Sequence, residues 1–225
     1  MRAPLLRSLR MKIDFVSDVA CPWCAVGLAS LESALALLPP GVPVELEFQP
    51  FELNPTLPPE GRETVAYLTQ KYGSTPQRIA QMRETIRQRG AEVGFRFGDR
   101  PWVWNTFDAH RLLHWAGLEG RQHELKRALL AAYHTDALNP GAHDVLLRLV
   151  ADLAMDVPRA RAILESDDYA AEVRAAERHW QQRGIDAVPA IVVDGRHLIQ
   201  GAQPVEAMAQ ALRRIAAETT DVEGR

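Results

Sequence analysis

"SDVACPWCAVG", residues 17–27, holds the only two cysteines of the 225-residue chain, Cys21 and Cys24, with Pro22 and Trp23 between them. The residues before it, MKIDFVSD (11–18), carry Ile13, Phe15 and Val16 and end in polar side chains, which reads as a short strand. Pro22 suits the first turn of a helix, where its missing N–H costs nothing. Val26, Leu28, Leu31, Leu35 and Leu38 then give that helix a broad apolar face, and Pro39-Pro40 stops it. VPVELEFQPF (42–51) alternates from Val44 through Leu46 to Phe48, the pattern of a half-buried strand. The chain therefore opens β-α-β, with the cysteines at the first strand-to-helix junction.

Three uses of the pair are open at this point: a redox dithiol, half of a metal site, or two inert buried thiols. A redox cysteine works as its thiolate, and an ordinary thiol is mostly protonated at neutral pH. A helix start presents unpaired N–H groups and a partial positive charge, which favour the thiolate at Cys21. Cys24 lies one turn deeper, on nearly the same face and within disulfide reach. A zinc site needs four ligands. His110 and His114, at i and i+4 in HRLLH, are the one helical pair that could complete it, but they lie far along the chain. His114, between Leu113 and Trp115 in the next turn, fits equally a packed side chain.

Beyond the junction the chain is ordinary in composition, 47% hydrophobic and 24% charged with a net charge of −3. This balance gives no reason to expect nucleic acid or an acidic membrane as partner. No apolar run approaches the ~18 residues of a membrane span. Residues 1–10, with arginines at 2, 7 and 10, read as an extension preceding a start at Met11, since Pro4-Leu5-Leu6 is too short for a secretory core. A chain in the reducing cytoplasm uses paired cysteines for catalysis or metal more often than for a structural disulfide.

From about 61 to 184 the pattern turns helical. Thr75-Pro76 reads as N-cap and first residue of a helix with Ile79, Met82 and Ile86, stopped by Gly90. Asn105 or Thr106 caps a helix through Leu112, Leu113 and Ala116, closed by Gly117. Leu125, Leu129 and Tyr133 continue the series; Asn139-Pro140 opens another helix; Tyr169, Val173, Ala176 and Trp180 mark the last, ending at Gly184. GFRFGDRPWVW (94–104) is the least regular part. AIVVDGRHLI (190–199) is a hairpin about Asp194-Gly195, and Pro204 opens a final helix with Val205, Met208, Leu212 and Ile215.

DFVSDVACPWCAVG, FELNP, NTFDAHRLLHWA, GIDAVPAIVVDG and GAQP, spread over residues 14–204, resemble the FrnE-like members of the DsbA family in the thioredoxin superfamily. That family is related to 2-hydroxychromene-2-carboxylate isomerases and kappa-class glutathione transferases. The resemblance implies an α/β thioredoxin-like fold, β-α-β plus β-β-α, over residues 11–60 and 185–225. A large all-helical insertion domain would occupy 61–184.

It also implies a cytoplasmic thiol–disulfide oxidoreductase with Cys21 as the attacking and Cys24 as the resolving thiol. No metal or tightly bound cofactor is expected, and glutathione is a possible co-substrate. Substrates would be thiol or disulfide proteins or small molecules. A cis Val188–Pro189 bond would face the cysteines and pair with substrate, with Trp23, Asn54 and Gln203 alongside. Asn54 and Gln203 are the loose counterparts of glutathione-holding residues, although Asn54 also suits a plain turn before Pro55. Asn105 and His110 match a family-typical segment that a cap and a packed histidine explain equally well. Trp23 stands where strong oxidants often carry a charged histidine, so the helix end is expected to be the chief activator of Cys21. The competing activity is a glutathione-dependent isomerase or transferase of small aromatic or polyketide-like substrates. Those relatives usually carry Ser at the first position and lack the second cysteine.

Overall fold

A computed structural model of the chain describes residues 10–223, with side chains through residue 218. All of the proposed extension except Arg10 lies outside the described residues. Strand β1 (Met11–Ser17) leads through the cysteine loop into helix α1 (Pro22–Leu35) and back to strand β2 (Val44–Pro50). β1 and β2 pair in parallel, in register from Met11 opposite Val44 to Ser17 opposite Pro50, which requires the crossover that α1 supplies. Near the other end, β5 (Ala190–Val193) and β6 (His197–Gln200) form the hairpin, and helix α9 (Val205–Glu223) closes the chain. Asp194 and Gly195 both have positive φ, 51° and 66°, as a tight two-residue hairpin turn demands. β5 runs antiparallel to β1, giving the sheet order β2-β1-β5-β6.

Strand alternation sorts the sheet's two faces. Ile13 and Phe15 meet Leu28 and Leu31 of α1 and Met208 and Leu212 of α9. Val16 and Val192 meet Trp180 and Ile185 on the other side. β2 is an edge strand, and its free backbone groups at Phe48 are taken up by one side chain: Gln122 accepts from Phe48 N at 2.9 Å and donates to Phe48 O at 3.0 Å. The amide thus occupies the place of a neighbouring strand and blocks that edge to other chains.

Between β2 and β5 lie β3 (Arg62–Glu63), α2 (Thr64–Tyr72), α3 (Pro76–Glu92), β4 (Trp102–Val103) and α4 (Phe107–Leu118). After them come α5 (Gln122–His134), α6 (His143–Asp152), α7 (Val157–Leu164) and α8 (Ala170–Gln182). This insertion has its own core, in which Leu112, Leu125, Leu129, Leu146 and Ile163 are fully buried. Val19, from the loop before the cysteines, is buried in that core and so joins the two parts.

Several sequence expectations shift here. β3 and β4 pair as a small antiparallel ribbon where helix or irregular chain was expected. α7 went unread although Asp156 caps it, accepting from Arg159 N at 2.9 Å. Asn139-Pro140 does not open α6; Asn139 Oδ1 accepts from Gly141 N at 2.8 Å, a side-chain turn that precedes the helix. Gly117 lies inside α4, and the left-handed residue after that helix is Gly120, φ 69°. Met82 is exposed rather than core.

Gly90 does not stop α3 either. It is buried in the helix because the chain folds straight back over it: Phe95 N donates to Gly90 O at 2.8 Å. A Cβ at Gly90 would stand 2.6 Å from Phe95 O and from the Phe97 ring. Gly90→Ala is therefore expected to destabilise the protein by about 1–3 kcal/mol, as overpacking does, despite the better helix propensity of Ala. Urea denaturation reads this directly, and a stabilised variant would contradict the close approach.

The Phe95 and Phe97 rings lie 6.4 and 5.6 Å from the ring of His134, which is fully buried and donates through Nε2 to Val19 O at 2.8 Å. Burial, and then the nearby Arg100 charge, hold this imidazole well below its usual pKa of 6.5. The unfolded chain therefore binds a proton near pH 6.5 that the folded chain refuses. Stability contributed this way is full above about pH 6.5 and is lost as pH falls below it, by up to about 1.4 kcal/mol per unit. His134→Gln should flatten the slope of unfolding free energy between roughly pH 6.5 and 5; an unchanged slope would show that His134 does not set it.

Candidate active site

Cys21 is the N-cap of α1 (φ −85°, ψ 114°) and Pro22 its first residue. The loop is closed by two backbone bonds, Cys21 N to Asp18 O at 3.3 Å and Cys24 N to Cys21 O at 3.1 Å. Both cysteines are free thiols. Cys21 is 4% exposed and Cys24 fully buried, so the order of accessibility follows from their places at and below the helix start. Burial, a hydrogen bond with Cys21 and the Cys21 charge push the Cys24 thiol well above its usual pKa.

The Cys21 thiol donates to Val188 O at 3.6 Å, and the Val188–Pro189 bond is cis. α1 approaches this loop closely because Gly27 has no side chain: a Cβ there would lie 2.9 Å from Pro189 Cγ. Pro189 O in turn accepts from Gly201 N at 2.8 Å, bringing the 201–204 turn beside the cis bond.

The floor of the site is the fully buried carboxylate of Asp18. Its Oδ1 accepts from Ala20 N at 3.0 Å and Thr106 Oγ1 at 2.8 Å, and its Oδ2 accepts from Leu53 N at 2.7 Å. His110 Nε2 lies 3.4 Å from Oδ1. Burial alone raises a carboxyl pKa; here the His110 imidazole and the Ala20 and Leu53 amides outweigh it and hold Asp18 below the usual range. Asn105 donates to Glu52 Oε1 at 3.1 Å and accepts from Phe107 N at 2.8 Å, and Glu52 is paired with Arg174. Thr106 and His110 thus brace the cysteine loop through Asp18, while Asn105 ties the start of α4 to Glu52.

The other residues singled out in the sequence are placed as follows. Trp23 is partly buried against the core that contains the cysteines. Asn54 follows Leu53; its Oδ1 accepts from Tyr67 Oη and Lys71 Nζ, both at 2.8 Å. Gln203 donates to Gln200 O at 2.7 Å within the turn before α9. His114 packs on the Tyr169 ring, 5.1 Å between centroids, rather than joining His110.

Two cations near the cysteines, one buried and one partly buried, escaped the sequence reading. Lys126 of α5 is 1% exposed; burial lowers its pKa, while Cys24, Asp18 and Cys21 act in the opposite direction. It borders a cavity of about 210 Å³ behind β2, together with Gln49, His110 and His114. The Arg100 guanidinium lies 5.5 Å from the Tyr133 ring centroid, and its electrostatic partners include Cys21. Trp23 brings no charge to the pair, but Lys126 and Arg100 are charged neighbours of Cys21. Lys126 had a legible signal, since it sits one turn before Leu129 and Leu130 on an apolar face. Arg100, in an irregular segment, had none.

Among the described residues no helix is long and apolar enough to cross a membrane. The DSBA-like thioredoxin domain matches residues 12–213 of the chain. The uncharacterised protein YwbO of Bacillus subtilis is 28% identical over 210 residues, covering 91% of this chain and 96% of its own. The crystal structure of a probable DsbA oxidoreductase from Streptomyces coelicolor superposes with a TM-score of 0.87 at 34% identity, over 92% of this chain and 91% of that one. The cytosolic disulfide reductase DsbM from Pseudomonas aeruginosa, solved with GSH, shares the fold alone: TM-score 0.62 at 17% identity, over 91% and 99% of the two chains. With the sheet order, the cis bond and the cysteine pair at the start of α1, these likenesses establish that the chain belongs to the DsbA-like thioredoxin family of oxidoreductases.

Proposed function

We propose that the protein is a cytoplasmic thiol–disulfide oxidoreductase that works through Cys21 and Cys24. The observation that carries this reading is the placement of the Cys21 sulfur at the N-cap of α1, 3.6 Å from Val188 O, with Cys24 buried one turn below. In the reducing direction the Cys21 thiolate attacks one sulfur of a substrate disulfide. A Cys21–substrate bond forms, the substrate S–S bond breaks, and the departing thiolate takes up a proton. Cys24 then gives up its proton and attacks the Cys21 sulfur, releasing the second substrate thiol and leaving the Cys21–Cys24 disulfide. Two electrons have passed to the substrate, and the same steps reversed oxidise a dithiol.

Val188 and Pro189 are the platform in this scheme: an extended substrate lies along Val188 as an added strand, bordered by Trp23, Asn54 and Gln203. Glutathione is the proposed co-substrate that restores the dithiol, a role suggested by the GSH-bound DsbM structure. The alternative, a glutathione-dependent isomerase or transferase, would leave the deeply buried Cys24 without a task.

Insulin reduction driven by glutathione tests the reading. Cys21→Ser should lower the rate at least about a hundredfold, since the attacking group is gone. Cys24→Ser should retain attack but accumulate mixed disulfides on Cys21, recoverable from cell extract and absent from the wild type. Activity surviving in Cys21→Ser, or trapping through Cys24 instead, would overturn the assignment.

A further inference from the structure

We propose that the arginine-bearing border made by α3 and residues 93–100 selects disulfides that carry carboxylates beside their sulfurs. This inference rests on the thiol–disulfide reading above. Residues 76–100 contain six arginines against three acidic residues, a net of +3 within a chain whose total is −3. Arg89 and Arg100 bring part of this excess to the site, Arg100 by electrostatic interaction with Cys21. Ile86 of α3 and Phe97 belong to the same core as Cys21 and Cys24. Arg89 Nη2 reaches Ala202 O at 3.5 Å, next to the Gly201 that binds Pro189. Arg83 Nη2 donates to Arg100 O at 3.2 Å, locking α3 to the returning segment that presents Arg100.

Local pairing leaves part of this charge unspent. Arg87 is held by Glu84 at 3.2 Å and Asp99 at 3.6 Å, and Arg89 is near Glu92 at 3.4 Å. Among the described residues, Arg83 and Arg100 have no carboxylate within ion-pair distance. Arg83 acts electrostatically on the exposed Glu63 and Arg100 is hydrogen-bonded to Tyr133, so neither has a buried carboxylate partner, and an incoming anion supplies one. The geometry offers one lip of the substrate groove to carboxylates while the other lip, the Val188 backbone, stays neutral. Such a border acts on encounter and orientation at the sulfur and requires no further chemistry.

The test is a set of second-order rate constants for oxidation of the reduced protein, quenched by alkylation and read by mass. The probes are 3,3′-dithiodipropionate, bis(2-hydroxyethyl) disulfide and cystamine: anionic, neutral and cationic. For Arg83→Gln/Arg89→Gln, the anionic-to-neutral rate ratio should fall about fivefold relative to wild type, and raised salt should lower the wild-type ratio similarly. The cationic-to-neutral ratio should rise. Ratios cancel any loss of folded or active protein, and Arg100→Gln gives a second, independent reading. Ratios unmoved by the variants and by salt overturn the proposal. Failure of wild-type protein to form a disulfide with the neutral probe would instead count against the redox reading.

Two further arms separate sources of the same chemistry. Glutathione disulfide is compared with its carboxyl esters, and a cystine peptide flanked by Glu with one flanked by Gln. An arginine-dependent preference in the first pair alone assigns the border to small thiols. A preference in the second pair assigns it to acidic polypeptide segments. A preference in neither overturns the proposal.

Discussion

The carboxylate of Asp18 is the constraint on which the site depends. One buried side chain receives hydrogen bonds from its own loop at Ala20, from the chain after β2 at Leu53, and from the start of α4 at Thr106. Each bond to a charged acceptor of this kind contributes roughly 1.5–3 kcal/mol. Removing the acceptor would strand three donors around a fully buried position. The consequence is geometric: these bonds fasten the loop between β1 and α1 where Cys21 meets the helix end and the Val188 carbonyl together. Val19, one residue on, is anchored in the helical core and by His134. The insertion is thus part of the active-site floor rather than an appendage to it.

Electrostatics follow from that arrangement. The buried interior below the cysteines contains Asp18 and Lys126, with partly buried Arg100 beside it and His134 kept neutral by burial. Lys126 and Arg100 stand opposite Asp18 in this region, and both interact electrostatically with Cys21. Trp23 contributes packing and no charge, so the positive side of the site comes from the helix end and from residues distant in sequence. The same asymmetry continues outward, where the arginines of α3 give the groove one basic lip.

Elements specified by local chemistry were legible in the sequence. The β1 strand, Pro22 at the start of α1, the Thr75-Pro76 cap of α3 and the Asp194-Gly195 turn all depend on residues within a few positions. The cysteine spacing made the pair visible, and the family resemblance singled out Val188–Pro189. What stayed hidden is set by tertiary contact. Gly90 looks like a helix stop and is instead a point of close approach to Phe95 and Phe97. α7 is short, and the β3–β4 ribbon consists of two-residue strands, too brief for any period to register. Asp18 reads as a polar end to a strand; its role appears only when Leu53 and Thr106 are brought to it. Arg100 becomes relevant through the turn after α3, which nothing in its own segment announces.

The most direct test of the account is equilibration of the wild-type protein in glutathione redox buffers, trapped by alkylation and resolved by mass. The account predicts a single two-electron transition between a dithiol and a Cys21–Cys24 disulfide, with each ratio of reduced to oxidised glutathione approached equally from either side. If Cys24 remains a free thiol at every ratio while Cys21 only forms a glutathione adduct, the pair is not a redox couple and the central claim fails.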